Sequence, residues 1–499
     1  MNFNQIPNGI KVPGFYAEID NSRAAGSAVM PWKVLVIGQQ TKSAAVECSL
    51  VTSDDDADVK YGYGSQLALM IRALRKNAPS VETYALPLND ASSSVAAVNT
   101  VTVAGTAGES GTIVLVIDGV RVKVGVVNGE TAASIASKIA AEIGTATAAD
   151  SATQLPVYAS ASAGTVTITA KNKGTCGNEI VVGVGQTVAD IIPAGLTVTV
   201  AAGTRGATDP NLTKIKKNGS ADVSVVSVIA GRWFNVIACG LNDDDNIQIL
   251  KEELDERWTA LRQEIGVLFY GKSFDSVAAA QTYYNDKNSQ VIVPVCLYKA
   301  PCTAWERAAR IAGIAAYSAK QDPAMPIGNL EVKGEVAPDE SDDLTFEEKQ
   351  ILLDAGCSDI DADKNSRTVY VRRLVTTYKR NSAGAADMSY MQPEVVFCLS
   401  YFRWAWNNRM ASKYPRTKSA KDDAQFGIGQ VVLRPSTVKG EAIDFYKEMC
   451  DAGICQGYEY FVENVECEID PNDPYRINVL LPPEFMKQMF VMATLIQFS

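Results

Sequence analysis

Residues Gly266–Ser273, GVLFYGKS, match the phosphate-loop pattern G-x-x-x-x-G-K-S/T letter for letter. A working phosphate loop follows a strand and has small residues between its glycines, so that backbone N–H groups can wrap an anion. Here a helical stretch, Glu252–Ile265, comes first, and the Val-Leu-Phe-Tyr between the glycines is core strand material. No apolar strand ending in an acid offers a magnesium ligand. The segment is expected to be a buried strand ended by a turn at Gly271. Two acidic runs, Asp54, Asp56, Asp58 and Asp359, Asp361, Asp363, alternate as calcium ligands do. Calcium loops of the EF-hand type need Gly at the sixth position and Glu at the twelfth. The first run has Val59 and Ser65 there and the second has Lys364 and Tyr370, so both read as solvated loops.

The chain contains no histidine. That removes Ser-His-Asp and Cys-His centres, His-ligated zinc and a His general base. Carboxylate, lysine or tyrosine chemistry survives in principle, but no constellation for it is visible. The sequence therefore leads us to expect no catalytic residue, no metal ligand and no cofactor.

What remains are surfaces. Val395–Lys421 has no acidic residue and carries Arg403, Arg409, Lys413, Arg416, Lys418 and Lys421. In a chain with formal charge −11 this is a local reversal of sign. Cations favour helix C-termini, so one reading is a solvated helix end. The other is contact with an acidic partner, with Lys413, Arg416, Lys418 and Lys421 as the candidate residues. The neighbouring aromatics Phe397, Tyr401 and Trp404 read as core packing. Both chain ends are apolar. Gly9–Ile19 alternates loosely, with Ile10, Val12, Phe15 and Ala17 among polar neighbours, and Pro7 and Pro13 keep it out of a helix. Met489–Phe498 is nearly continuous strand-prone sequence, with Met489, Val491, Ala493, Leu495 and Gln497 on one period-two face. Such a tail either packs into its own domain or adds a strand to a partner's sheet, with Ile477–Leu481 as the local sheet it extends from.

The acidic balance argues against wholesale binding to nucleic acid or anionic membrane. There is no run of about 18 apolar residues and no charged-then-apolar leader, so neither membrane insertion nor a signal peptide is expected. The ten cysteines are scattered without a Cys-x-x-Cys pair and read as reduced, mostly buried thiols.

The elements that position these residues divide by composition. From Ala91 to about Ala207 the chain is Ala, Gly, Thr, Ser and Val, with Tyr158 its only aromatic; all six Trp and fourteen Phe lie outside. This suggests a strand-rich insert within a host domain. Thr112–Ile117 and Val120–Val127 flank Asp118-Gly119, a type I′ hairpin signal. Thr131–Ile143 puts Ile135, Ile139 and Ile143 on one helical face, with Gly144 as a stop. Strands follow at Thr165–Ala170, Glu179–Val184 and Leu196–Ala201. In the host, apolar strands at Val34–Ile37, Val81–Leu86, Phe234–Ala238, Val267–Tyr270 and Val291–Cys296 alternate with helices at Leu67–Leu74, Ile247–Ile265, Ser276–Tyr284 and Thr303–Ala319. This predicts an α/β fold with a mostly parallel sheet covered on both faces. After a turn-rich, acidic link, Asp322–Asp343, Thr345-Phe-Glu-Glu348 is a capping box opening a helix through Leu353. A strand at Val369–Thr377, helices at Glu394–Met410 and Glu441–Cys450, and a strand at Tyr458–Ile469 make the C-terminal part α+β. The expected organisation is an N-terminal arm (1–25), an α/β core (26–90 and 208–365), the insert (91–207), a C-terminal α+β assembly domain (366–488) and a C-terminal arm strand (489–499).

Several segments, in this order, resemble the contractile tail sheath proteins of Mu-like phages. They are IPNGIKVPGFYAEIDNSRA (Ile6–Ala24), WKVLVIGQ (Trp32–Gln39), YGYGSQLALMIRALRKNAP (Tyr61–Pro79), VRRLVTTYKRNSAGAADMSY (Val371–Tyr390), KYPRTK (Lys413–Lys418) and the NDPYRINVLLPP…LIQF tail. FYGKS and GRWFNVIACG have no diagnostic counterpart. The resemblance implies a sheet core likened to subtilisin without its active site, and terminal arms that exchange strands between subunits. It implies self-assembly as a helical sleeve around a tail tube protein, with baseplate and tail terminator proteins as further partners. It also implies assembly in the host bacterial cytoplasm, a place in the virion tail, and contraction that drives the tube through an envelope. The basic segment would then face the tube. Alternatives are the sheath of a bacteriocin or secretion injector, a tail tube or baseplate protein, and a hydrolase without histidine on the α/β core.

Overall fold

The computed structural model describes residues 30–42, 45–147, 154–185, 189–216, 222–427 and 429–498. Ile10, Val12, Phe15 and Ala17 of the expected N-terminal arm lie outside the described residues.

The predicted apolar runs build one central sheet. Its strands are β1 (Lys33–Gln39), β2 (Ser49–Val51), β3 (Glu82–Leu88), β13 (Val236–Cys239), β14 (Val267–Phe274) and β15 (Ile292–Tyr298), in the order β15-β14-β13-β1-β3-β2. All neighbours run parallel except β2, which is antiparallel to β3. Because side chains alternate along a strand, each strand feeds two cores. Val34, Val36, Val236, Ala238, Val267 and Phe269 face one; Leu35, Ile37, Ile237, Cys239, Leu268 and Tyr270 face the other. On the first face lie α2 (Gln66–Asn77), which follows the short α1 (Asp54–Tyr61), and α7 (Ala304–Gln321). α4 (Val225–Ile229), α5 (Asp244–Trp258) and α6 (Val277–Asn285) cover the second. A two-residue ladder, β11 (Ile215–Lys216) with β12 (Asp222–Val223), precedes α4.

Between β3 and β13 a separate core has buried members from Ala97 to Val198, with Val200 packed against it. β4 (Ala96–Gly105), β7 (Val157–Ser162), β8 (Thr165–Lys173) and β10 (Leu196–Ala202) form one antiparallel sheet. β5 (Gly111–Ile117), β6 (Val120–Val126) and β9 (Val182–Val184) form another. α3 (Ala132–Ala146) presents Ile135, Ile139 and Ile143 to them, all fully buried. Asp118 and Gly119 both have positive φ, 50° and 74°, as the hairpin turn requires.

In the C-terminal half, β16 (Leu330–Glu331), β17 (Asp359–Ala362) and β18 (Val369–Arg373) form a small antiparallel sheet. α8 (Phe346–Ala355) opens with the expected Thr345–Glu348 capping box. α9 (Pro393–Lys413), α10 (Pro435–Asp451) and α11 (Tyr458–Asn464) gather around Phe402, Phe445, Tyr446 and Phe461. Three two-stranded ladders decorate them: β19 (Lys418–Ser419) with β20 (Val432–Leu433), β21 (Cys455–Gln456) with β24 (Glu484–Phe485), and β22 (Glu466–Ile469) with β23 (Ile477–Leu480).

Several expectations are corrected. β14 does not end at Gly271: Lys272, Ser273 and Phe274 stay paired to β15, so the strand runs three residues further. The first acidic run is not a loop. Ser53 accepts from the Asp56 N–H and starts α1, whose first turn favours carboxylates. The second is β17 followed by a turn in which Asp363 accepts from the N–H groups of Asn365 and Ser366. Tyr458–Ile469 is helix then strand, because Gly457 turns the chain in the left-handed region and Phe461 must stack on Tyr446, ring centroids 3.7 Å apart. α3 runs past Gly144, a position with open space around it, to a C-cap at Thr147. α5 stops at Trp258, well short of Ile265. Thr175–Glu179 is a 3-10 turn, so β9 begins only at Val182. Cys296 and Cys357 form a disulfide, whereas all ten thiols were expected to be reduced. The other eight cysteines are free, six of them buried.

Gly271 has a positional reason: a Cβ there would lie 1.9 Å from the Ala304 carbonyl oxygen at the start of α7. Gly271→Ala is therefore expected to shift the denaturation midpoint by about 2 kcal/mol or more, since backbone must move. Gly125→Ala in β6, with nothing within 4 Å, serves as the control and should stay within about 0.5 kcal/mol.

Candidate assembly surfaces

In open parallel sheets, ligands bind in the crevice beyond the carboxyl ends of the strands. Here that crevice is occupied by the chain itself, through residues 171–179. Gln39, the last residue of β1, donates from Nε2 to Asp90 Oδ1 and to the Lys173 carbonyl, both at 2.7 Å. Asn172 accepts from the Gln66 N–H at 2.8 Å and donates to the Gln40 carbonyl at 3.1 Å. Asn242 donates to Glu179 Oε1 at 2.7 Å and to the Gly271 carbonyl at 3.0 Å. The lysine of the phosphate-loop pattern is held in the same seam. Lys272 Nζ donates to the Asn242 carbonyl at 3.1 Å and sits 4.4 Å over the Tyr283 ring. The pattern therefore lies along a paired strand, with no loop of free N–H groups for an anion.

The acidic runs are likewise spent on structure. Asp54 pairs with Arg75 at 3.0 Å, Asp56 with Lys60 at 3.0 Å, and the fully buried Asp58 accepts from Arg72 Nε at 2.9 Å. Asp361 pairs with Lys349 at 2.6 Å. Among the described residues no group of three or more Cys, Asp or Glu is placed to hold a metal ion. No helix among them is long and apolar enough to cross a membrane.

α9 carries the basic segment. Phe397 is buried edge-on against Trp32, and Tyr401 and Trp404 pack half-buried on the same core. At the start of α9, Glu394 is fully buried, and its Oε1 accepts from the Ile327 N–H at 2.8 Å. Its Oε2 has no partner. Burial raises this carboxyl to about 7, against the opposing pull of the Ile327 and Glu394 N–H groups and Arg373. Along the helix, Arg403 donates to the Trp258 carbonyl at 3.1 Å. Arg409 bridges Glu441 and Glu448 at 2.9 and 2.8 Å, and Lys413 also reaches Glu441 at 2.8 Å. Burial opposes the Glu441 charge, yet donation from Lys413, Arg409 and Tyr414 keeps its carboxyl below the ordinary value. Lys413 is thus already engaged within the chain. Arg416, Lys418 and Lys421 are exposed beyond the helix, and Lys418 donates to Gln430 at 2.9 Å. Sequence reasoning missed Glu441 as the partner because it lies 28 residues away on another helix.

The C-terminal segment leaves the body after Phe490, whose ring lies 4.9 Å from the Arg373 guanidinium. Beyond β24 it joins no ladder among the described residues. Met489, Val491, Leu495 and Phe498 are 69, 80, 83 and 97 % exposed, and Ala493 and Gln497 are exposed beside them. Nearby, β22 and β23 pair only with each other among the described residues and pack against α10, which leaves both edges of the ladder unpaired there.

Comparison with known proteins places these surfaces in context. Residues 206–377 match the phage tail sheath protein central domain. The Mu-like prophage FluMu tail sheath protein of Haemophilus influenzae is 32 % identical over 503 aligned positions, covering 100 % of this chain and 99 % of that one. Among solved structures, a sheath tail protein of Desulfitobacterium hafniense superposes with a TM-score of 0.46 at 14 % identity, covering 95 % of this chain and 100 % of that one. One from Listeria innocua gives 0.49 at 14 %, covering 91 and 92 %. The anti-feeding prophage helical sheath in its contracted state gives 0.47 at 10 %, covering 98 and 99 %.

Glu394 supplies a pH test. Its carboxyl titrates near 7 folded and near its ordinary 4.5 unfolded. The folded state therefore holds the proton longer; the contribution is complete below about 4.5 and is lost as pH rises through about 7. Glu394→Gln keeps the acceptor for Ile327 without the charge. It should gain up to about 3 kcal/mol over the parent above about pH 8 and nothing near pH 4, read from denaturation midpoints across pH.

Proposed function

The chain belongs to the phage tail sheath family, and from that membership we propose how it works as a contractile sheath subunit. Many copies form a helical sleeve around an inner tube and shorten to drive that tube through a target envelope. The observation that carries this reading is the 32 % identical tail sheath relative, whose alignment covers 100 % of this chain and 99 % of that one.

The finer points are proposals. The α/β core is subtilisin-like in layout and non-catalytic; the lack of histidine and the crevice filled by residues 171–179 support a purely structural role. The organisation follows the expected division, with 91–207 an inserted domain on the outer face and 366–488 the assembly domain. Subunits assemble in the host bacterial cytoplasm and remain in the virion tail, with the tail tube, baseplate and tail terminator as partners. Met489, Val491, Ala493, Leu495 and Gln497 lie on an arm that adds a strand to a neighbouring subunit, and Ile10, Val12, Phe15 and Ala17 do the same at the other end. The exposure of the C-terminal apolar run and the unextended β22–β23 hairpin support this. Strand exchange keeps subunits linked while other interfaces slide.

Electron microscopy of purified protein tests the function: wide, hollow, ridged tubes are expected, and narrow tubes or persistent monomers would overturn it. Removing residues 489–499 should leave a folded subunit that forms no long tubes and caps growth of full-length protein. Charge reversal of Arg416, Lys418 and Lys421 should reduce co-assembly with tube protein and its salt sensitivity, while tube-free sheath still forms. Normal co-assembly yield would return the segment to a solvated helix end.

A further inference from the structure

Past β24 the chain alternates once more before it leaves the body. Gln488 and Phe490 are half-buried, whereas Lys487, Met489 and every residue from Val491 to Phe498 are exposed. Gln488 Nε2 donates to the Ala324 carbonyl at 3.1 Å. The Phe490 ring lies against Gly328, with its centroid 4.9 Å from the Arg373 guanidinium. A Cβ at Gly328 would come within 3.3 Å of Phe490 Cε1 and 3.0 Å of the Arg372 carbonyl oxygen, so a side chain there would crowd the seat. Arg373 Nε is buried and has no hydrogen-bond partner among the described residues. The negative face of the Phe490 ring covers this cation where water is excluded.

This seat lies on a different part of the molecule from the contacts just before it. Phe485 and Met486 pack on the cluster around Phe402 and Phe445, and β24 pairs with β21. Gly328 belongs to the acidic link just before β16, and Arg373 ends β18. One fastening leaves a chain free to swivel about it; a second, on other elements, also fixes its direction. The alternation matters as well, because successive residues of an extended chain point to opposite sides. Gln488 and Phe490 turn one side to the body. Met489 stays exposed, on the side it shares by period two with Val491, Ala493, Leu495 and Gln497.

We propose that Gln488 and Phe490 form a clip that aims the C-terminal arm, with Phe490 as its positioning residue. This rests on the reading of residues 489–499 as an arm that pairs with a neighbouring subunit. An arm held at its root samples less space, and the cost of ordering that root is met when the subunit folds. The apolar side of the arm then meets the neighbour at a higher effective concentration than a tail loose from β24 onward would. Phe490 is not itself on the proposed pairing side, so its loss removes no strand contact with the neighbour and acts only through the direction of the arm.

Lys487 stands exposed just before the clip and supplies a reporter. Trypsin acting on the unassembled full-length subunit can cut after it only when Gln488 and Phe490 lift away. Release of residues 488–499, followed by mass spectrometry, should be about tenfold or more faster in Phe490→Ala than in the parent, and close to the parent rate in Phe490→Tyr, which keeps the ring. Arg373→Met, which keeps an apolar stem without the cation, should also speed the cut. In assembly, the critical concentration for tube growth, read by light scattering and microscopy, should rise about tenfold in Phe490→Ala and return in Phe490→Tyr. Equal cutting of parent and Phe490→Ala overturns the clip, and so does faster cutting with an unchanged critical concentration. If Phe490→Ala does not fold, Arg373→Met decides through the same two measurements. A parent that makes no tubes, yet shows the difference in cutting, fails the sheath reading and leaves the clip standing.

Discussion

The structure depends on the burial of α7. This helix of 18 residues is enclosed on nearly every side, and its backbone approaches α2 so closely that a Cβ at Gly313 would lie 2.7 Å from the Leu74 carbonyl oxygen. A buried helix cannot leave its first N–H groups or its charged side chains to water. Glu306, Arg307 and Arg310 all sit on its first two turns, in the interior. Everything that surrounds α7 must therefore supply polar partners as well as apolar surface. Glu335 from the acidic link answers the arginines, and Asp118 and Glu179 answer the N–H groups. The link is thus a strap across the core, and residues 91–207 are fastened to it by hydrogen bonds that water cannot easily replace.

The same fastening fills the place beyond the strand ends where an α/β sheet of this form usually binds a ligand. Gln39, Gln66, Asn172 and Asn242 stitch residues 171–179 across the strand ends. The letters of a nucleotide loop fall on β14, where hydrogen bonds to β15 consume the backbone groups that an anion would need. A subunit whose task is to hold shape while neighbours move is served by a core closed in this way. Its exposed interest lies at the periphery, in an apolar C-terminal run that joins no ladder and a two-stranded hairpin whose edges are unpaired among the described residues.

Much of this was legible in the chain. The absence of histidine, the stretch from Ala91 to Ala207 with Tyr158 as its only aromatic, the Asp118-Gly119 hairpin, the Thr345–Glu348 box and the strand–helix alternation on either side of that stretch are local or compositional signals. They act through backbone geometry and period, which the sequence determines by itself. The family was legible too, because motifs in fixed order survive where single residues drift.

Tertiary structure alone decided the rest, and for one physical reason: the partners are distant in sequence. Nothing near Arg307 and Arg310 announces Glu335, and nothing near Thr303 announces Asp118, 185 residues earlier. Glu441 takes up Lys413 from another helix. Gly271 looks like a turn residue until α7 is laid against it, and Tyr458–Ile469 alternates like a strand until Phe461 finds Tyr446. Local pattern fixed which segments are buried; only the packed chain decided which buried charges meet.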